Sequence, residues 1–182
     1  METSPNNSKV DTIISSIIQP ALIAKNCTRI FLVGFMGTGK TTFGKKLSQK
    51  IHFSFIDTDL YIENNFHKTI NEIFAEKGEE GFRTIETKIL AEIAEIENVV
   101  IATGGGTPCF NNNMALMNSK GLTIYLETPT PDIAQRLITG KTKRPLLKDK
   151  TSEEIVEFIE EILPKRSTYY KKADLAINVV EN

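Results

Sequence analysis

The run Ile30-Phe31-Leu32-Val33 passes directly into Gly34-Phe35-Met36-Gly37-Thr38-Gly39-Lys40-Thr41-Thr42, joining a buried-strand pattern to G-x-x-x-x-G-K-[ST]. Gly34, Gly37 and Gly39 permit a tight loop whose backbone N–H groups point inward at phosphate oxygens, a conformation that side chains would largely forbid. Lys40 supplies a point charge toward the β- and γ-phosphates, and Thr41 a hydroxyl for Mg²⁺. Residues from Lys40 onward open a helix, whose N-terminal dipole favours the same anion. The segment therefore predicts a strand–loop–helix unit and a nucleoside triphosphate site, with Gly37, Thr38, Gly39, Lys40, Thr41 and Thr42 as its contacts. The alternative, a chance glycine loop, arises in roughly one chain of this size per few hundred at average glycine usage. The flanking strand and helix patterns lower those odds further.

A chain of 182 residues, 40% hydrophobic and 25% charged, suits one well-buried domain. With 22 basic and 23 acidic side chains the formal net charge is -1, so no global field holds nucleic acid or an anionic membrane. Any phosphate partner is held locally. Cys27 and Cys109 form no metal-type spacing and suit a reducing cytoplasm better than a disulfide scaffold. The apolar stretch from Ile13 to Ile23 is interrupted by Ser15, Ser16, Gln19 and Pro20, and lacks the pattern of a signal peptide. These features predict a cytoplasmic protein with no nucleic-acid or membrane partner; a small-molecule substrate and a monomeric state are further expectations, which composition does not itself carry.

Residues 1–28 read as an amino-terminal extension, mobile or docked: a polar start from Glu2 to Asp11, then a weakly apolar stretch. From Arg29 on, short apolar runs alternate with helical patterns, the signature of βαβ units. Strands are expected at Ile30–Val33, Phe53–Ile56, Val99–Ala102, Leu122–Leu126 and Leu175–Val179. Helices are expected between them, including Thr69–Lys77 with a Thr69/Glu72 capping box and Glu79–Ile96 beyond Gly78. A helix capped by Thr151 is expected to be interrupted by Pro164 and to resume to Lys172. The prediction is an α/β fold of three layers, α/β/α, around a central five-stranded parallel sheet, with residues 29–182 as one domain and a lid at about 139–150. Ligands of such sheets lie at the carboxyl ends of the strands.

The remaining constellations fall there. Asp57-Thr58-Asp59 ends the second strand, where two acids divide labour between Mg²⁺ and substrate, or where Asp59 merely caps the next helix. Arg83 and Glu86, at i, i+3, are either a surface ion pair of little energetic value or an oriented fork for a substrate carboxylate. Gly104-Gly105-Gly106 exposes backbone N–H groups to a close ligand, with a flexible hinge as the alternative. Arg144, in the long break between helices, is a lid arginine over developing phosphate charge or part of a solvated basic loop. Arg166, one helical turn before Tyr170, is a further anion contact or a plain exposed residue.

In this order and spacing, the Gly34–Thr41 loop, Asp57-Thr58-Asp59, Phe82-Arg83-x-x-Glu86, the glycine triplet, Arg144-Pro-Leu-Leu and Arg166-x-x-x-Tyr170 resemble the shikimate kinase family, from about Ile30 to Val179. The resemblance implies a nucleoside-monophosphate-kinase-like P-loop fold with a mobile lid. It also implies transfer of the ATP γ-phosphoryl group to the 3-hydroxyl of shikimate, a step of chorismate and aromatic amino-acid biosynthesis. It assigns Thr41 as a ligand of Mg²⁺, Asp57 to holding the ion through water, and Asp59 to the substrate hydroxyls and their proton. Arg83, Arg166 and the backbone of Gly104, Gly105 and Gly106 go to shikimate, while Lys40 and Arg144 go to the transferring phosphoryl group. The family often places an arginine seven residues before the lid arginine; this chain has Leu137 there, with Arg136 one position earlier.

Two rival readings accompany this one. A gluconate-type kinase on the same scaffold is the nearer rival, and the pairing of Arg83 with Arg166 toward a carboxylate is read as favouring shikimate. A nucleotide-gated binding module without phosphoryl transfer needs neither Asp59 nor Arg144.

Overall fold

In a computed structural model of the chain, residues 5–140, 147 and 150–178 are described, with side chains from residue 9 onward. Five strands, β1 (Arg29–Val33), β2 (Ser54–Asp57), β3 (Val99–Ala102), β4 (Leu122–Glu127) and β5 (Leu175–Asn178), form one parallel sheet in the order β2-β3-β1-β4-β5. Their near-continuous apolar sequence reflects burial on both sides, as parallel sheets require. Alternate residues point to opposite faces: Ile30, Leu32, Val100, Leu122, Ile124 and Leu126 to one core cluster, Phe31, Val33, Val99, Ile101 and Tyr125 to the other.

Which helix covers which face follows from strand order. The crossover from β1 to β2 moves one way along the sheet, and the next three crossovers move the other way. Parallel crossovers are right-handed, so α3 (Lys40–Ile51) lies on one face. On the opposite face lie α5 (Ile70–Ile93), α6 (Asn113–Lys120), α7 (Thr130–Thr139) and α8 (Ser152–Tyr170). On its own, α3 leaves β4 and β5 bare on its side. That gap is filled by the amino-terminal segment: α1 (Pro5–Ile13), a π-helical turn (Ile14–Ile18) and α2 (Gln19–Ala24). Ile14 and Ile18, four residues apart on one helical face, are 1% and 0% exposed and join Phe43, Leu47, Leu122, Ile124, Leu126 and Ile177 in one cluster. Lys25 closes the junction, its ammonium donating to Asp174 at 2.6 Å. Burial pushes the Asp174 carboxyl up, but Lys25 and the Thr123 N–H and hydroxyl together outweigh it and hold that carboxyl below its usual range.

Local signals behave as their chemistry dictates. Thr69 and Glu72 form the expected capping box, as do Thr151 and Glu154. Gly78, with φ of 68° and ψ of -178°, breaks α5 into the two helical pieces the sequence suggests. Pro164 does not break α8, which runs unbroken over 19 residues. Proline forfeits one N–H bond to the preceding turn, and the buried anchors Ile155, Ile159 and Tyr170 hold the helix together across it. No helix among the described residues is long and apolar enough to cross a membrane.

Candidate active site

The β1–α3 connection leaves the sheet between β3 and β4, where the crossover direction reverses and a crevice opens at the carboxyl ends of the strands. Gly34, Gly37 and Gly39 all have positive φ, at 144°, 81° and 88°. A Cβ at Gly34 would lie 2.9 Å from the Leu126 carbonyl oxygen, so the loop needs glycine there for space as well as conformation. Inside the loop, the Lys40 ammonium donates to the carbonyl oxygens of Gly34 and Phe35, each at 2.8 Å, and is 9% exposed. Thr38 donates its hydroxyl to the Phe35 carbonyl at 2.8 Å. Arg136, from α7, donates to the Gly37 carbonyl at 3.3 Å and so reaches the loop from the far side of the cleft.

Beside the loop, the Thr41 hydroxyl donates to Asp57 Oδ2 at 2.7 Å. The other Asp57 oxygen accepts from the N–H groups of Asp59 and Leu60, at 3.2 and 3.4 Å, and caps α4 (Thr58–Phe66). The cap is Asp57, not Asp59. Asp59 stands in the first turn of α4, half-buried, where a Cβ on Gly104 would come within 2.8 Å of its Oδ1. Lys40, Thr41, Asp57, Asp59, Thr103 and Gly105 line one cleft of about 860 Å³. Among the described residues no group of three or more His, Cys, Asp or Glu side chains has the arrangement of a metal site.

A second cluster forms where the glycine triplet passes between α5 and α8. Arg83 Nη1 donates to Glu86 at 2.9 Å, and both residues are buried, 9% and 2% exposed; this is not a surface ion pair. Taking such a pair out of water is costly unless further hydrogen bonds help satisfy it. Thr107, fully buried in the 3₁₀ turn Thr107–Cys109, supplies one by donating its hydroxyl to the second Glu86 oxygen. Arg83 Nη2 retains only a 3.4 Å contact with the mostly exposed Glu79, and Nε is buried without an acceptor. The guanidinium thus has donor capacity left over for an anion.

On the other side, Tyr170 donates its hydroxyl to the Gly105 carbonyl at 2.5 Å, and burial pushes its phenol pKa far up, keeping it a neutral donor. One turn earlier, Arg166 lies over the Phe35 ring at 5.7 Å, tying this cluster to the phosphate loop. The triplet is the spacer between the two arginines. A Cβ on Gly106 would lie 2.8 Å from Arg83 Nη2, and one on Gly105 would lie 3.7 Å from Arg166 Nη1.

Residues 36–181 match the family model for shikimate kinase. The chain belongs to the shikimate kinase family. A shikimate kinase from Parabacteroides distasonis is 51% identical over 150 residues, covering 82% of this chain and 87% of that protein. A crystal structure of shikimate kinase from Bacteroides thetaiotaomicron superposes with a TM-score of 0.82 at 48% identity, over 84% of this chain and 86% of that one. The shikimate kinase from Acinetobacter baumannii in complex with shikimate superposes at 0.76 with 34% identity, over 88% of each chain. The fold is the nucleoside-monophosphate-kinase-like P-loop fold of these enzymes, and the activity is that of an ATP-dependent kinase acting on shikimate.

Of the residues singled out in the sequence, the phosphate loop, Asp57 and Asp59 share the main cleft, while Arg83, the triplet and Arg166 gather beside Gly105 at its edge. Arg144 lies outside the described residues. Sequence reasoning did not find Thr107, Phe110 or Asn111, which surround Arg83, or the contact of Arg136 with the loop. The displacement of Arg136 from the family's usual spacing was the one visible signal.

Proposed function

We propose that this shikimate kinase transfers the γ-phosphoryl group of ATP to the 3-hydroxyl of shikimate, a reaction of aromatic amino-acid biosynthesis, as a cytoplasmic monomer that uses Mg²⁺. The observation that carries the reading is a single cleft shared by the phosphate loop, Asp59 and Gly105. The phosphate loop and Asp59 open on the same space, which supports transfer from ATP to a hydroxyl held at Asp59.

Residue roles follow from position. Backbone N–H groups of residues 37–42 and the helix dipole of α3 take the phosphates, and the Lys40 ammonium exchanges its two carbonyl partners for phosphate oxygens. Thr41 and Asp57 present hard oxygens 2.7 Å apart, a fit for Mg²⁺ held directly by Thr41 and through water by Asp57, since the ion keeps several waters and completes its shell with phosphate. When bound, the ion neutralises charge on the phosphates. Arg83 and Arg166 take the shikimate carboxylate, and the backbone of Gly104, Gly105 and Gly106 lets the ring approach. Asp59 accepts the proton of the 3-hydroxyl as its oxygen bonds to the γ-phosphorus and the bond from that phosphorus to the ADP oxygen breaks. Arg144 brings positive charge to the transferring group.

The test is phosphoryl transfer with ATP and Mg²⁺ to shikimate or gluconate, with the product followed by phosphorus NMR. Shikimate 3-phosphate and stoichiometric ADP are expected. Phosphorylation of gluconate alone, or ATP binding without turnover on shikimate, overturns the reading.

A further inference from the structure

Arg83 is held from three directions by the segment that follows the glycine triplet. Thr107 fixes Glu86, the partner of Nη1. Asn111, in a left-handed conformation with φ of 47°, donates its amide N–H to the Arg83 backbone carbonyl at 3.2 Å and to Thr87 at 3.0 Å. Phe110 lies with its ring centroid 4.1 Å from the guanidinium carbon. Phe82 and Phe74, from the same helix as Arg83, lie at 5.2 and 5.8 Å, and their own rings stack on each other at 4.3 Å. Phe110 is therefore the ring at stacking distance, and it comes from outside the helix.

The guanidinium needs such a surface. Its Nη1 end is fixed by Glu86, but Nη2 has one long contact to an exposed acid and Nε has none. Hydrogen bonds alone leave rotation about the Nη1 anchor unchecked. A ring face opposes that rotation, because swinging the guanidinium away from Phe110 forfeits the attraction between the cation and the π cloud. The same contact explains why the triplet must be glycine beside Arg83: a Cβ on Gly106 would meet Nη1 and Nη2 at 2.9 and 2.8 Å and lift the fork off its position.

We propose that Phe110 is a positioning residue for acid recognition: its ring face holds the Arg83 guanidinium in the plane that receives the substrate carboxylate. The inference rests on Arg83 being the carboxylate contact. Cation–π attraction at a partly desolvated site corresponds to about 5- to 30-fold in affinity.

Steady-state kinetics of the full chain with Phe110→Leu, which removes the π face, and Phe110→Tyr, which keeps it, test the proposal beside Arg83→Ala. The leucine variant is expected to raise KM for shikimate by about 5- to 30-fold, with KM for ATP within about twofold of the parent. The tyrosine variant is expected to stay near the parent, and Phe110→Leu is expected to add nothing to Arg83→Ala. Phe110→Met, also ringless, repeats the test should the leucine variant fail to fold. Equal effects of leucine and tyrosine, a parallel rise in KM for ATP, or an unchanged KM for shikimate in the leucine variant overturn it. If Arg83→Ala itself leaves KM for shikimate unchanged, the underlying reading of Arg83 fails and this proposal with it. If only Arg83→Ala raises it, the role of Phe110 alone fails.

Discussion

Under the proposed function the phosphate loop and the acid pocket around Arg83 serve neighbouring groups of one reaction, yet the chain builds them differently. The loop is nine consecutive residues, Gly34 to Thr42, and its functional atoms are mostly backbone N–H groups whose direction is set by local φ. The acid pocket draws Arg83 and Glu86 from α5, Thr107 and Phe110 from the segment after β3, and Arg166 and Tyr170 from α8. A site of the first kind is made by sequence and tuned by glycine. One of the second kind is made by packing, so its side chains need partners that hold them: Glu86 and Thr107 for Arg83, and the Tyr170–Gly105 hydrogen bond beside Arg166.

Disabling each region should therefore produce different kinetic signatures. Lys40→Ala removes the one side-chain charge of the loop and is expected to lower kcat by about a thousandfold, the cost of losing a preorganised charge in the transition state. An intact kcat would show that the backbone cradle suffices. Arg83→Ala, in contrast, is expected to act mainly through shikimate, weakening its binding by about 2–5 kcal/mol, because the substrate carboxylate loses a charged partner and meets the buried Glu86 without Arg83 between them. Titration of shikimate and of ATP against this variant checks the split; equal losses for both ligands would erase the distinction between the two regions.

The next prediction concerns the layer beneath the loop. Ile18→Ala is expected to destabilise the fold by about 2–5 kcal/mol in urea unfolding, since Ile18 is fully buried among Phe43, Leu47 and the β4 residues. A change within a few tenths of a kcal/mol would mean the segment contributes little to that core. The smallest effect is expected at Tyr170. Tyr170→Phe leaves the Gly105 carbonyl without its donor and is expected to cost about 1 kcal/mol near neutral pH. Because burial raises the folded-state pKa above its usual value of 10.0, the tyrosine's contribution is complete below pH 10 and is lost as pH rises toward the folded value. The stability gap between parent and Tyr170→Phe should thus shrink above pH 10; a gap independent of pH would contradict the burial argument.

What could be read from the sequence tracks the same contrast. The phosphate loop, the capping box at Thr69, the cap at Thr151 and the break at Gly78 are local, and each is legible because its cause lies within a few residues. Asp57 and Asp59 were visible as a pair, but only the geometry assigns the cap to Asp57. Thr107 and Phe110 were not legible: their partners are 21 and 27 positions away in sequence, and no spacing rule links a residue to a helix laid beside it by the sheet. Residues 5–24 carried several apolar i, i+4 pairs, and that Ile14 and Ile18 are the deeply buried ones depends on a face of the sheet left bare by strand order. Pro164 misled because its local preference was read without the buried anchors on either side of it.

The central claim is that Arg83 recognises the carboxylate of the acceptor while the phosphate loop works independently of it. The most direct measurement compares kcat/KM for shikimate and for its carboxamide, which keeps the hydroxyls and loses the charge, in the parent and in Arg83→Ala. The account predicts a preference for the acid of about a hundredfold or more in the parent that largely collapses in the variant, with KM for ATP unchanged in both. A preference undiminished by the loss of Arg83 would contradict it.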